Sequence, residues 1–137
     1  MFQFKRFTKP FLYVLLVIIL TSCSEATHPE YIPESNFTGD QLEIVKLINL
    51  RMKYIFEENK DEYVKLTAPN SPVSNPPSYK VKKVKVMEEI HIREQKNIYE
   101  ASVRTNEVTF NKEEMTYVYV FWKGKQPNDT WLIMDID

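Results

Sequence analysis

The sequence predicts an α+β domain in which a long N-terminal helix and a short second helix pack on a curved, four-stranded antiparallel sheet. Three observations carry this. Apolar residues recur at helical spacing from Leu42 to Phe56. The stretch 67–78, with Pro69, Pro72, Pro76 and Pro77, then admits neither helix nor central strand. Beyond it the apolar pattern changes to period two and stays there to the end of the chain. Helices first and strands second separate the two kinds of element into layers.

The first 22 residues stand apart from this domain. Lys5, Arg6 and Lys9 precede an unbroken apolar run from Phe11 to Leu20, followed by Thr21, Ser22 and Cys23. Ten apolar residues are half of the ~20 needed to cross a bilayer. The layout is that of a secretion signal, and Leu20-Thr21-Ser22-Cys23 resembles the lipobox of bacterial lipoproteins. The resemblance implies cleavage before Cys23 and a diacylglyceryl group on its sulfur. Cys23 is the single cysteine of the chain, so lipidation also accounts for a thiol that an exported protein would otherwise leave unpaired. Two acyl chains hold a protein stably at a surface without a spanning helix. The expected location is the extracytoplasmic face of the cell membrane, and the Lys-, Asn- and Ile-rich usage points to a Gram-positive bacterium.

Cleavage after residue 22 of 137 leaves 115, enough for one core and too few for two. Losing three of the 18 basic residues leaves 15 against 19 acidic ones, a formal charge of −4. A general nucleic-acid binder needs a net basic face, so that class is excluded. Without cysteine the fold has neither disulfides nor thiolate metal sites.

Residues 23–37 are polar, contain Pro29 and Pro33, and read as a lipidated tether. Extended, they reach roughly 45 Å, which would let the domain, 38–137, stand clear of the headgroups. Thr38 and Gln41 have the spacing of a capping box, and Phe37 and Leu42 that of a hydrophobic staple. Leu42, Val45, Ile48, Met52, Ile55 and Phe56 form the helix stripe, which Ile44, Leu47 and Leu50 widen. A second helix begins near Asn59, a capping residue, with Asp61 and Glu62 in its first turn and Pro69 beyond its end. Glu57, Glu58, Asp61 and Glu62 lack the alternating ligands and glycine turn of a hard-cation loop and read as a solvated helix junction.

Four strands follow. Val84, Val86, Ile90 and Ile92 alternate with polar residues, as do Tyr99, Ala101 and Val103. Val108 and Phe110 continue in shifted phase, which predicts a bulge between them and Val103. Met115–Trp122 is the third strand and Trp131–Ile136 the fourth, with turns at 95–97, 111–113 and 124–129.

This order of elements, the segment Phe56-Glu57-Glu58-Asn59-Lys60-Asp61-Glu62-Tyr63 and the ending Trp131-Leu132-Ile133-Met134-Asp135-Ile136 resemble the nuclear transport factor two-like superfamily over residues 37–136. The resemblance implies a cone of helices wrapped by a sheet. It implies no single activity, since the superfamily includes isomerases, cyclases and noncatalytic surface subunits.

Isomerases of that kind use a carboxylate base and hydroxyl donors in an apolar pocket. Tyr54, Asp61, His91 and Asp135 are the residue types to try, and no spacing among them makes a catalytic pattern. His91 lies between Ile90 and Ile92 and is expected on the solvent face. There is no histidine cluster for a metal, no nucleophile with a paired base, and only Gly39 and Gly124 as glycines, too few for a phosphate loop. No catalytic residue, metal or cofactor is assigned. Lys80, Lys82, Lys83 and Lys85 are either an attachment strip for anionic lipid or polymer, or guards of an exposed edge strand, and the acidic balance favours guards. Tyr54, Tyr117, Tyr119 and Phe121 are the candidate lining of the cone. Val118, Val120 and Trp122, on the other face of the third strand, are the candidate interface.

The expectation is a noncatalytic, lipid-anchored extracytoplasmic module that binds an unknown protein partner or its own copy. The alternative is a small-ligand-binding cone, with an isomerase- or cyclase-like enzyme third. An open space between helix and sheet favours ligand, and a filled one favours the outer surface.

Overall fold

A computed structural model describes residues 27–137; the signal 1–22 and Cys23 lie outside the described residues. After a 3-10 turn at Glu34–Asn36 come helices α1 (Gly39–Phe56) and α2 (Lys60–Val64). Strands β1 (Val81–Val86), β2 (His91–Glu94), β3 (Ile98–Thr109), β4 (Glu114–Gly124) and β5 (Leu132–Ile136) complete the fold. The class is α+β as the sequence predicts, with two helices on an antiparallel sheet in the order β1-β3-β4-β5.

The sheet has five strands because the expected first strand is broken. β1 pairs with the C-terminal half of β3 and β2 with its N-terminal half, so both lie along one edge. Val86 sits opposite Thr105 and His91 opposite Ser102, so five residue steps face three and Met87–Ile90 must loop out. Ile90 turns inward and is buried, while Met87 is 52% exposed.

The bulge expected in the second long strand does not form. β3 pairs with β4 in one unbroken register from Ile98↔Gly124 to Val108↔Glu114. Strict alternation therefore carries Tyr99, Ala101, Val103, Thr105, Glu107 and Thr109 to the inner face, and Val108 to the outer one. Polar Glu107 takes the place inside that apolar Val108 was expected to take. The irregularities lie elsewhere, between Val81 and Lys83 of β1 and between Val120 and Phe121 of β4.

α1 lays Ile44, Val45, Ile48, Met52 and Ile55 on Val84, Ala101, Val103, Tyr119, Phe121 and Ile133. Each of these helix side chains contributes about 1.5–3 kcal/mol by leaving water. The capping box is absent: Thr38 is the N-cap by position and its side chain makes no cap bond. Gly39 opens the helix at φ +56, where a Cβ is strained, and Asp40 in the first turn accepts from Lys123 Nζ (2.6 Å) and Trp131 Nε1 (2.9 Å). Asn59 does cap α2, accepting from the Glu62 amide.

Two loose segments become sheet edges. Leu66–Ala68 runs beside β5, with the Ile133 amide donating to Leu66 O and the Ala68 amide to Ile133 O, both at 2.8 Å. On the opposite edge the Glu30 amide donates to Lys82 O at 2.7 Å. The expected tether is thus docked from Pro29 onward. Ile32 is buried, and the Asn49 side chain clamps its backbone, accepting from its amide (2.9 Å) and donating to its carbonyl (3.0 Å). Residues 29–37, expected as part of a free linker, therefore belong to the folded unit.

Candidate functional site

The polar centre of the domain is assembled from positions whose backbone period leaves them no other direction. Arg51 shares the inner face of α1 with Ile44, Ile48 and Ile55, at offsets of seven, three and four. Glu107 and Tyr119 are on the inner faces of β3 and β4. Arg51 Nη1 donates to Glu107 Oε1 at 2.8 Å and to the Tyr119 hydroxyl at 2.6 Å, and that hydroxyl donates to Glu107 Oε1. All three side chains are buried.

Burial opposes the charge on Arg51, and the surrounding tyrosine oxygens and the Glu107 carboxylate more than offset it, so its pKa lies above the ordinary arginine value. Burial drives the Tyr119 hydroxyl far above the usual tyrosine range, against the pull of Arg51. Tyr119 is therefore a neutral donor at physiological pH. Arg51 Nε and Glu107 Oε2 are buried without a hydrogen-bond partner among the described residues.

Beside this triangle a cleft of about 200 Å³ opens between Arg51, Tyr63, Val73, Tyr79, Tyr117 and Ile136. The Tyr79 and Tyr117 hydroxyls stand 3.4 Å apart, Tyr117 donates to Met115 Sδ and Tyr63 donates to Val73 O. Burial, and then the bond with Tyr117, raises the Tyr79 pKa. The cleft presents neutral hydroxyls and a charge-matched guanidinium. It has room for a few waters or a small polar molecule, and is below the ~300–1,000 Å³ of sites that enclose larger ligands.

The predicted lining residues divide. Tyr119 and Phe121 point inward as expected, yet both are completely buried and fill the space between α1 and the sheet. Tyr117 reaches the cleft. Tyr54 does not line it; it packs at the margin of the core, with Lys53 Nζ 5.9 Å from its ring centroid. Asp61 is exposed in the first turn of α2, His91 is exposed on β2, and Asp135 accepts from the next amide near the end of β5. Nothing brings these four together. Among the described residues no cluster of three or more His, Cys, Asp or Glu is placed to hold a metal.

Val118, Val120 and Trp122 alternate with the inward residues of β4, as predicted. Their neighbours across the strands are Arg104, Ser102 and Glu100 on β3 and Asp135 and Leu132 on β5, so the stripe is edged by polar residues except beside Trp122, where Leu132 widens it. Trp122 is 37% exposed and its Nε1 donates to Glu100 Oε2 at 3.3 Å.

Wider depressions flank the docked segment. A groove of about 570 Å³ runs between it and α1, lined by Tyr31, Ile32, Pro33, Lys46, Leu50 and Lys53. A second, of about 440 Å³, lies on its other side against Lys83, Val84, Lys85 and Val86 of β1.

No known protein family, curated protein or solved structure matches the chain.

Arg51, Glu107 and Tyr79 were not among the candidates drawn from the sequence. The signal for the first two is present: unbroken alternation from Tyr99 leads to Glu107, and the stripe Ile44-Ile48-Ile55 includes Arg51. Arg51 and Glu107 are each a charge at an apolar position, and only the other explains it, while no periodicity singles out Tyr79.

Proposed function

We propose that this chain is a noncatalytic, lipid-anchored module of the extracytoplasmic membrane face that binds a protein through its outer surface. One observation carries the reading: the space between α1 and the sheet is occupied by the protein's own side chains. Ile44, Val45, Ile48, Met52, Val103, Tyr119 and Phe121 are each at 0% exposure. Beyond the small tyrosine cleft a substrate has no interior to enter, and what remains for recognition of anything larger is outside. The likeness to the nuclear transport factor two-like layout is taken as one of architecture and lends no activity. A second copy of the chain is one partner of the kind expected.

A second reading rests on the unpartnered Arg51 Nε and Glu107 Oε2 beside the tyrosine cleft. Such atoms fit a small polar ligand that supplies one acceptor and one donor.

The test uses the full-length protein in the bacterium that makes it. Replacing Cys23 with Ala should release the protein from membranes and remove the acyl mass. A photo-crosslinking residue in place of Trp122 or Val120 should trap a discrete adduct, while one in place of Lys96 should not. A parent that is soluble and unacylated, or outer positions that trap nothing, would overturn the first reading. Thermal shifts with small polar metabolites that vanish in Tyr79→Phe would support the second.

A further inference from the structure

We infer that the face built around the docked segment Pro29–Pro33 lies against the membrane and rests on anionic lipid headgroups. The inference builds on the reading of Cys23 as the lipid-bearing residue. Its first support is the length of chain left over. From Cys23 to Pro29 are six residue steps, about 22 Å at full extension. That is less than the 18-residue α1, about 27 Å long. A leash shorter than the domain's own helix holds the docked side near the bilayer. It leaves the opposite edge, where Leu66–Ala68 covers β5, facing away.

Charge is distributed to match. The segment forms a ridge with a groove on each side, one flanked by Lys46 and Lys53 of α1, the other by Lys83 and Lys85 of β1. Of the acids on the ridge, Glu30 pairs with Lys83 at 3.3 Å and Glu34 accepts from Asn49 at 3.3 Å. Among the described residues Lys46, Lys53 and Lys85 have no carboxylate within ion-pair distance. This is a net basic face on a mature chain with four more acidic than basic residues. Tyr31, 47% exposed on the ridge, has the apolar body and polar tip that suit a headgroup layer.

The lysines of β1 thereby gain a second explanation. Glu30 already covers the strand edge at Lys82, so guarding against other chains does not require Lys85. Attraction of lysine to anionic lipid fades within a Debye length of about 8–10 Å. Four lysines would not hold a freely diffusing protein, but they can orient one whose leash already keeps it within that range. An acidic protein partner would meet the same charges without needing the leash, which is why the test contains lipid alone.

Full-length protein is purified and reconstituted into vesicles of phosphatidylcholine, or of phosphatidylcholine with about a third phosphatidylglycerol. Acetylation of each lysine by an N-hydroxysuccinimide ester is followed by mass spectrometry. In the anionic vesicles Lys46, Lys53, Lys83 and Lys85 should react about three-fold more slowly than in the neutral ones. Lys96, in the turn between β2 and β3, and Lys125, just beyond β4, should react equally in both. Lys53→Glu with Lys85→Glu should erase the difference at Lys46 and Lys83. Equal rates at all four lysines, or slowing at Lys96 and Lys125 instead, overturns the inference. The intact mass of the same sample reports the anchor separately. An acylated protein without the footprint discards the face and keeps the anchor; an unacylated protein with the footprint discards the anchor and, with it, the leash as what orients the face.

Discussion

Replacing Arg51 with Met removes the one cation paired with Glu107 among the described residues while keeping much of the volume. The carboxylate is left with the Tyr119 hydroxyl as its one donor, in a place that is completely buried. Stripping one partner from a buried pair costs about 3–5 kcal/mol, because the remaining charge has lost its compensation without regaining water. Domains of this kind hold about 5–15 kcal/mol in all, so Arg51→Met should bring this one close to its limit. At about 4 °C per kcal/mol for a domain of about 110 residues, the melting temperature falls by about 12–20 °C. The assay is urea unfolding followed by tryptophan fluorescence, since Trp131 is buried at the start of α1's packing and reports its release. Arg51→Met combined with Glu107→Leu and Tyr119→Phe should recover the parent's stability to within about 2 kcal/mol, because an apolar core of similar volume replaces the triangle. A loss below about 1 kcal/mol in Arg51→Met alone would show that Glu107 is solvated, and the picture of a filled, dry space between α1 and the sheet would fall with it.

Alkaline stability follows from the same cluster. Tyr119 has a pKa raised in the folded state, so the folded protein keeps its proton after the unfolded chain has lost it; the contribution is complete below about pH 10 and declines above it. Stability should drop by about 1.4 kcal/mol per pH unit for this group, and Tyr119→Phe should flatten that limb in a pH series of denaturant melts. Asp40 behaves in the opposite sense. Its bonds from Lys123 and Trp131 lower its pKa, so its contribution is present above about pH 4 and is lost as pH falls through the lowered value; Asp40→Asn should be less stable near neutrality and show a shallower acid limb. The two left-handed positions flanking α1 should respond with opposite signs. Gly39 has φ +56 and nothing within 4 Å of a Cβ, so Gly39→Ala costs about 1 kcal/mol of backbone strain alone, whereas Glu58 at φ +55 makes Glu58→Gly stabilising by up to about 1 kcal/mol, both read from unfolding midpoints. Asn49→Ala should free the docked segment; limited proteolysis should then cut between Tyr31 and Phe37 while α1 stays intact.

The sequence by itself determined the fold class and most of the inward positions, because those depend on periods that a chain carries locally. The stripe of α1, the cap at Asn59, the inward direction of Tyr119 and Phe121 and the outward direction of Val118, Val120 and Trp122 all follow from spacing. Where two local signals disagreed, only tertiary structure chose. Val103 and Val108 differ in phase, and a bulge is the economical reading as long as Glu107 has no reason to be inside. Arg51, 56 positions earlier in the chain, is that reason, since a buried carboxylate is tolerable only beside a buried cation. The break between β1 and β2 likewise depends on the number of residues β3 sets against them. The docking of Pro29–Pro33 depends on Asn49, whose side chain satisfies both backbone groups of Ile32, and proline with scattered polar residues looks the same in a free tether as in a docked one. Local periodicity selects the faces of each element, and long-range pairing of charges and backbone groups selects the register in which those faces meet.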